Sequence, residues 1–77
     1  MKRVDFYKEL DQLLELAPGT VKGSESLEDL QVWDSLAVIG FLAMVDTRFG
    51  MVLSTEALAA CRTVSDLEAL VEGKLED

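Results

Sequence analysis

The chain has 77 residues, enough for one domain, and 49% of them are apolar, which suffices for a compact core and argues against disorder. Fifteen acids against seven bases give a net charge of −8, which excludes nucleic acid and anionic membrane surfaces as natural partners. The chain has no histidine and one cysteine, so it lacks the means for an internal disulfide, a metal cluster or a Ser-His or Cys-His nucleophile.

Residues from about Val4 to Leu16 read as an amphipathic helix. Val4, Tyr7, Leu10 and Leu14 recur at three- and four-residue steps, widened by Phe6 and Leu13. Asp5, Glu9, Asp11 and Glu15 fall largely off that stripe, and Ala17-Pro18-Gly19 stops the helix. The stretch from Pro18 to Trp33 is a long loop for so small a domain. Val21, Leu27, Leu30 and Val32 give it apolar pins, and Ser26 is placed to cap a short turn running to Leu30. A loop of this length lets the next helix run parallel to the first or re-enter at a distance.

The second helix is expected from Ser35 to Phe49, with Asp34 as its N-cap and Gly50 as its stop. Trp33 before the cap and Val38 in the first turn fit a hydrophobic staple. Val38, Phe41, Leu42, Val45 and Phe49 form the expected core face. Leu36, Ile39, Gly40, Ala43 and Met44 then form an apolar outer strip beside Ser35. Gly40 lowers helix stability by about 1 kcal/mol against alanine, a cost explained either by close approach of a partner backbone or by simple tolerance.

A short third helix follows from Thr55 to Cys61, capped by Ser54, with small Ala59, Ala60 and Cys61 packed close to its neighbours. Cys61 reads as a small buried apolar residue and not as a reactive thiol. Thr63 and Asp66 open the last helix as a capping box, with Val64, Leu67, Leu70 and Val71 on its buried face. Glu72 to Asp77 is expected to fray. The basic start Met1-Lys2-Arg3 is interrupted by Asp5 and Lys8 before any leader-like apolar run, and no run is long enough for a membrane span, so a cytoplasmic location is expected.

The elements sum to an all-α four-helix bundle with a long first loop and a short third helix, in a single domain over 1–77. This layout, with Asp34-Ser35-Leu36 opening the second helix, Phe49 near its end and Thr63-Val64 with Leu67 opening the fourth, resembles the acyl carrier protein family. The resemblance implies a non-catalytic carrier. A 4′-phosphopantetheine arm, transferred from coenzyme A by a separate transferase, is attached to Ser35 and holds acyl groups as thioesters. Asp34 is implied as a supporting residue that helps hold the transferase's metal. The implied partners are the phosphopantetheinyl transferase and acyl-loading and acyl-processing enzymes, met by a monomer.

The chain departs from the family's common pattern in two places. Ala37 and Gly40 stand where acids often lie, so partners are expected to grip Leu36, Ile39, Gly40, Ala43 and Met44 by apolar contact. Leu30-Gln31-Val32-Trp33 replaces a common Leu-Gly before the site. Both favour a specialised, polyketide- or peptide-like pathway over primary fatty-acid synthesis. The alternatives are an aminoacyl or peptidyl carrier with the same arm, and a cofactor-free helical interaction module.

Overall fold

The computed structural model describes residues 1–76. It contains α1 (Arg3–Leu13), the single turn α2 (Leu27–Leu30), α3 (Ser35–Phe49), α4 (Thr55–Ala59) and α5 (Val64–Leu70), followed by a 3-10 turn over Glu72–Lys74. The four helices expected from periodicity are thus α1, α3, α4 and α5, and α2 is the short turn within the long loop. Phe6 and Leu10 of α1, Phe41 and Val45 of α3, Leu58 of α4, and Val64, Leu67 and Val71 close one core. Phe6 and Trp33 both set their rings edge-on to Phe41, at centroid separations of 6.2 and 6.0 Å.

Helix α1 stops at Leu13, earlier than its apolar pattern. Leu16 N–H reaches back to the Asp11 carbonyl and Glu15 N–H to the Gln12 carbonyl. This is a Schellman closure, and it places Glu15 in the left-handed region at φ 57°, where glycine is the usual occupant. The helix therefore ends through its own backbone, before Pro18 can act.

The long loop does not make α3 parallel to α1. Leu13, at the end of α1, faces Gly40 in the first half of α3, while Glu9 pairs with Arg48 near its end. The two helices are antiparallel, and the loop's length serves another purpose. It crosses to the start of α5: Leu27 N–H donates to the Arg62 carbonyl, Val64 N–H to the Glu25 carbonyl, and Ser65 Oγ–H to the Gly23 carbonyl at 2.6 Å. Ser26 is engaged there in a bridge with Thr63, and its hydroxyl does not cap α2.

Asp11 is the chief departure from the helical pattern. It is buried, and its carboxylate accepts from Gly19 N–H (Oδ2) and Val21 N–H (Oδ1), both at 2.9 Å. Nearby, buried Glu68 accepts from Arg3 at 2.6 Å. Its other oxygen, Oε1, lacks a hydrogen bond of good geometry, and the donor facing it is the Tyr7 hydroxyl. Burial, then that hydroxyl–carboxylate contact, pushes the Tyr7 hydroxyl up to about 12, so it stays protonated at neutral pH. Gly23 closes this node at φ +119°; a Cβ there would sit 2.5 Å from the Tyr7 hydroxyl oxygen.

Two further expectations change. In α4 the buried residue is Leu58, while Ala59 and Ala60 are exposed, because at about 100° per residue they are rotated off the side that Leu58 presents to the core. The C-terminal segment is tied down rather than frayed. Arg3 N–H donates to the Glu76 carbonyl and Glu76 N–H to the Met1 carbonyl, so backbone pairing joins the two ends. Asp77 lies outside the described residues.

Carboxylates that cap backbone make the fold acid-sensitive. N–H donors at Arg62 and Thr63 hold the Asp66 carboxyl below its ordinary range. Partial burial pushes Glu25 up, but backbone donors at Gly23, Glu25 and Lys22 more than offset it and hold it low. Groups depressed in the folded state contribute fully above the unfolded carboxyl value, near pH 4, and the contribution is lost as pH falls through the lower folded value. The urea midpoint is therefore expected to decline below about pH 4. Glu25→Gln with Asp66→Asn should flatten that decline; an unchanged slope would show that other groups set it.

Candidate functional site

The site is built on the first turn of α3. Asp34 is extended, at φ −124°, and its Oδ1 accepts Ala37 N–H at 2.9 Å, while its carbonyl accepts Val38 N–H. These bonds fix the turn and set Ser35 at its first helical position. Ser35 is exposed, and its hydroxyl makes no hydrogen bond among the described residues. The backbone N–H groups of Ser35 and Leu36 are likewise without a protein acceptor among the described residues, as at any helix start. A free hydroxyl beside two free donors and the positive end of a 15-residue helix suits a phosphodiester, with Asp34 the opposing charge. The residues present therefore fit a phosphate-linked arm.

The entry to this turn is held from behind. Trp33 packs edge-on against Phe41, and both Trp33 and Val38 lie against the core. Beside Ser35 lies a shallow recess of about 310 Å³, walled by Leu13 of α1 and the capping Leu14, Val32 of the loop, and Leu36 and Ala37 of α3.

The outer face of α3 is narrower than its sequence suggests. The buried positions are Ala37, Phe41 and Val45, at i, i+4 and i+8. Val38, Leu42 and Phe49 are half-buried on its flank. Gly40 and Met44 share the inward side with Ala37, so they do not join the outer strip. A Cβ on Gly40 would lie 2.7 Å from Leu13 Cδ1, and Met44 packs against the core. The close approach at Gly40 is thus to α1 of the same chain. Leu36, Ile39 and Ala43, one residue out of phase, are exposed, at 76% and 63% for the first two.

Gly40→Ala is expected to change stability by less than about 1 kcal/mol, because better helix propensity is offset by moving the tip of half-buried Leu13. A loss above about 2 kcal/mol on urea unfolding would mean that Leu13 is locked in place. Charged substitutions at Gly40 therefore test the α1–α3 contact before they test any partner.

Sequence reasoning missed one residue of this face. Val52, in the loop after α3, is 89% exposed and shares a small apolar recess with Ala43. The signal was present in Met51-Val52-Leu53, where the outer two turn inward and the middle one does not. Cys61 is half-buried rather than buried, in a recess it shares with Trp33: its Sγ donates to the Ala57 carbonyl, and burial followed by the charge of Asp66 pushes the thiol up. Among the described residues no group of His, Cys, Asp and Glu could hold a metal, and no helix is long and apolar enough to cross a membrane.

The family model for the phosphopantetheine attachment site matches residues 7–71, a span running from α1 to the end of α5. The chain belongs to this family. It is a phosphopantetheine-bearing carrier protein, and 4′-phosphopantetheine is its covalently attached prosthetic group. Carrier domains of the family are in general non-catalytic and meet phosphopantetheinyl transferases and processing enzymes. Neither the curated proteins nor the solved structures compared with it give a match.

Proposed function

We propose that this carrier protein is a single-domain, monomeric, cytoplasmic acyl carrier whose arm is attached at Ser35, serving a specialised polyketide- or peptide-like pathway. The observation that supports it is Ser35 itself: exposed, unbonded and set at the start of α3 by the Asp34 cap. When bound, the arm supplies a terminal thiol that holds the acyl unit as a thioester. Ser35 offers its hydroxyl oxygen as the point of attachment, and the free N–H groups of the first turn favour the phosphate's charge by about 0.3–1 kcal/mol. No base accompanies Ser35, so activation of its hydroxyl is left to the transferase. Asp34 orders the turn and presents a carboxylate to that enzyme's metal. The near absence of charge on the outer face of α3, where only Asp46 and the ion-paired Arg48 interrupt the apolar run, favours a specialised pathway with partners recognising Leu36, Ile39 and Ala43.

Intact mass after incubation with coenzyme A and a broad-specificity phosphopantetheinyl transferase tests the reading. One phosphopantetheine adduct is expected on the native chain and none on Ser35→Ala. Because Ser35 has no side-chain bond to lose, that variant should keep its stability within about 0.5 kcal/mol. An adduct that persists in Ser35→Ala would move the attachment elsewhere. The native chain's failure to accept the arm from several transferases would favour a cofactor-free module.

A further inference from the structure

Helix α1 carries more apolar surface than the fold covers. Val4, expected in the core stripe, is 55% exposed. With Tyr7, Leu16, Pro18 and Val21 it floors a groove of about 490 Å³ between α1 and the start of the long loop. That size lies within the range of small-molecule sites. The groove shares no residue with the recess beside Ser35.

Two lysines edge it, Lys8 from α1 and Lys22 from the loop. They are two of only seven bases in a chain of fifteen acids. Arg3 and Arg48 are paired with carboxylates, whereas neither Lys8 nor Lys22 forms an ion pair among the described residues. Asp11 also lines the groove, but each of its oxygens already accepts a backbone N–H. Glu25 feels the charge of Lys22, yet its oxygens are likewise engaged by the N–H groups of Lys22 and Gly23.

From this apolar floor with unpaired ammonium groups at its edge, we propose that the groove binds a small apolar monoanion, a medium-chain carboxylic acid whose head lies at Lys8 and Lys22. The two ammonium groups supply the local positive charge that selects a carboxylate over a neutral or cationic head, and the net charge of −8 disfavours a polyanionic peptide or surface. The proposal does not depend on where the arm is attached.

Titrating decanoate, below its micelle concentration, into 15N-labelled Ser35→Ala full-length chain tests it without interference from the arm. Saturable amide shifts are expected around Val4, Tyr7 and Val21, with decan-1-ol weaker and decyltrimethylammonium weakest. Lys8→Gln with Lys22→Gln should weaken decanoate roughly fivefold. Val4→Glu, at an exposed position, should keep the fold by circular dichroism and lose binding. Shifts that do not saturate, equal binding of the cationic amphiphile, or shifts centred on Leu36, Ile39 and Val52 would overturn the proposal. Tighter binding of an acidic amphipathic peptide than of decanoate would do so too.

Discussion

Asp11→Ala is expected to lower stability by about 3 kcal/mol, a large share of the roughly 4–12 kcal/mol available to a domain of this size. The carboxylate is buried and accepts two backbone N–H groups, from Gly19 and Val21. Charge-assisted bonds of this kind contribute about 1.5–3 kcal/mol each, and their loss leaves the buried Val21 amide without its protein partner. The melting temperature should fall by roughly 10–20 °C. Asp11→Asn should recover little, since its amide keeps one acceptor oxygen and turns N–H groups toward the second donor. Amide exchange should accelerate first at Gly19 and Val21, then through the loop as far as Leu27, whose amide is held by Arg62. A melting temperature lowered by less than about 3 °C would show that Val21, Leu27 and α2 hold the loop without the carboxylate.

Asp11 also marks where the sequence stops being legible. Residues whose partners lie within one turn could be read directly. Asp34 caps α3, Ser54 caps α4, Thr63 and Asp66 form their box, and Gly50 ends α3 at φ 65°, each through a bond spanning three or four residues. The partners of Asp11 lie eight and ten residues away on loop backbone, so its helical position gave only an off-stripe acid. The pairing of the chain ends, Arg3 with Glu76, is more remote still. In α3 the core face was legible, since Phe41 and Val45 are buried and Val38, Leu42 and Phe49 pack against the core, but the edge of that face was not, for a different reason. With ten uncharged residues from Leu36 to Val45, no polar face marks the outside, and the periodicity cannot choose between neighbouring rotations. Small Ala37 turned out to face inward, which carried Gly40 and Met44 with it. Ser35 escaped this ambiguity because a cap and a helix start are fixed by local hydrogen bonds and not by phase.

The correction in phase sharpens the second large effect, on partner recognition. Leu36→Glu with Ile39→Glu is expected to raise the transferase's KM for this carrier by about 10–100-fold while leaving kcat within about threefold. Both side chains are mostly exposed, so neither substitution removes core contacts, and the helical content should be unchanged. If half of each side chain is covered in the complex, burial contributes about 1 kcal/mol apiece, and charge placed in an apolar contact adds to the loss. Asp46→Lys serves as the comparison, because Asp46 is the acid of α3 that borders this face near Val52. Recognition by apolar contact predicts a small effect of that reversal and a KM that changes little with salt. A steep salt dependence together with an Asp46→Lys effect exceeding that of the double variant would reverse the assignment and make charge the recognition element. Because Gly40 and Met44 face inward, the surface under test is a line of Leu36, Ile39 and Ala43, extended by Val52 and starting at Ser35. That line can guide a partner along one edge of α3 toward the serine, whereas the broader strip expected from sequence could not have been mutated without disturbing the contact between α1 and α3.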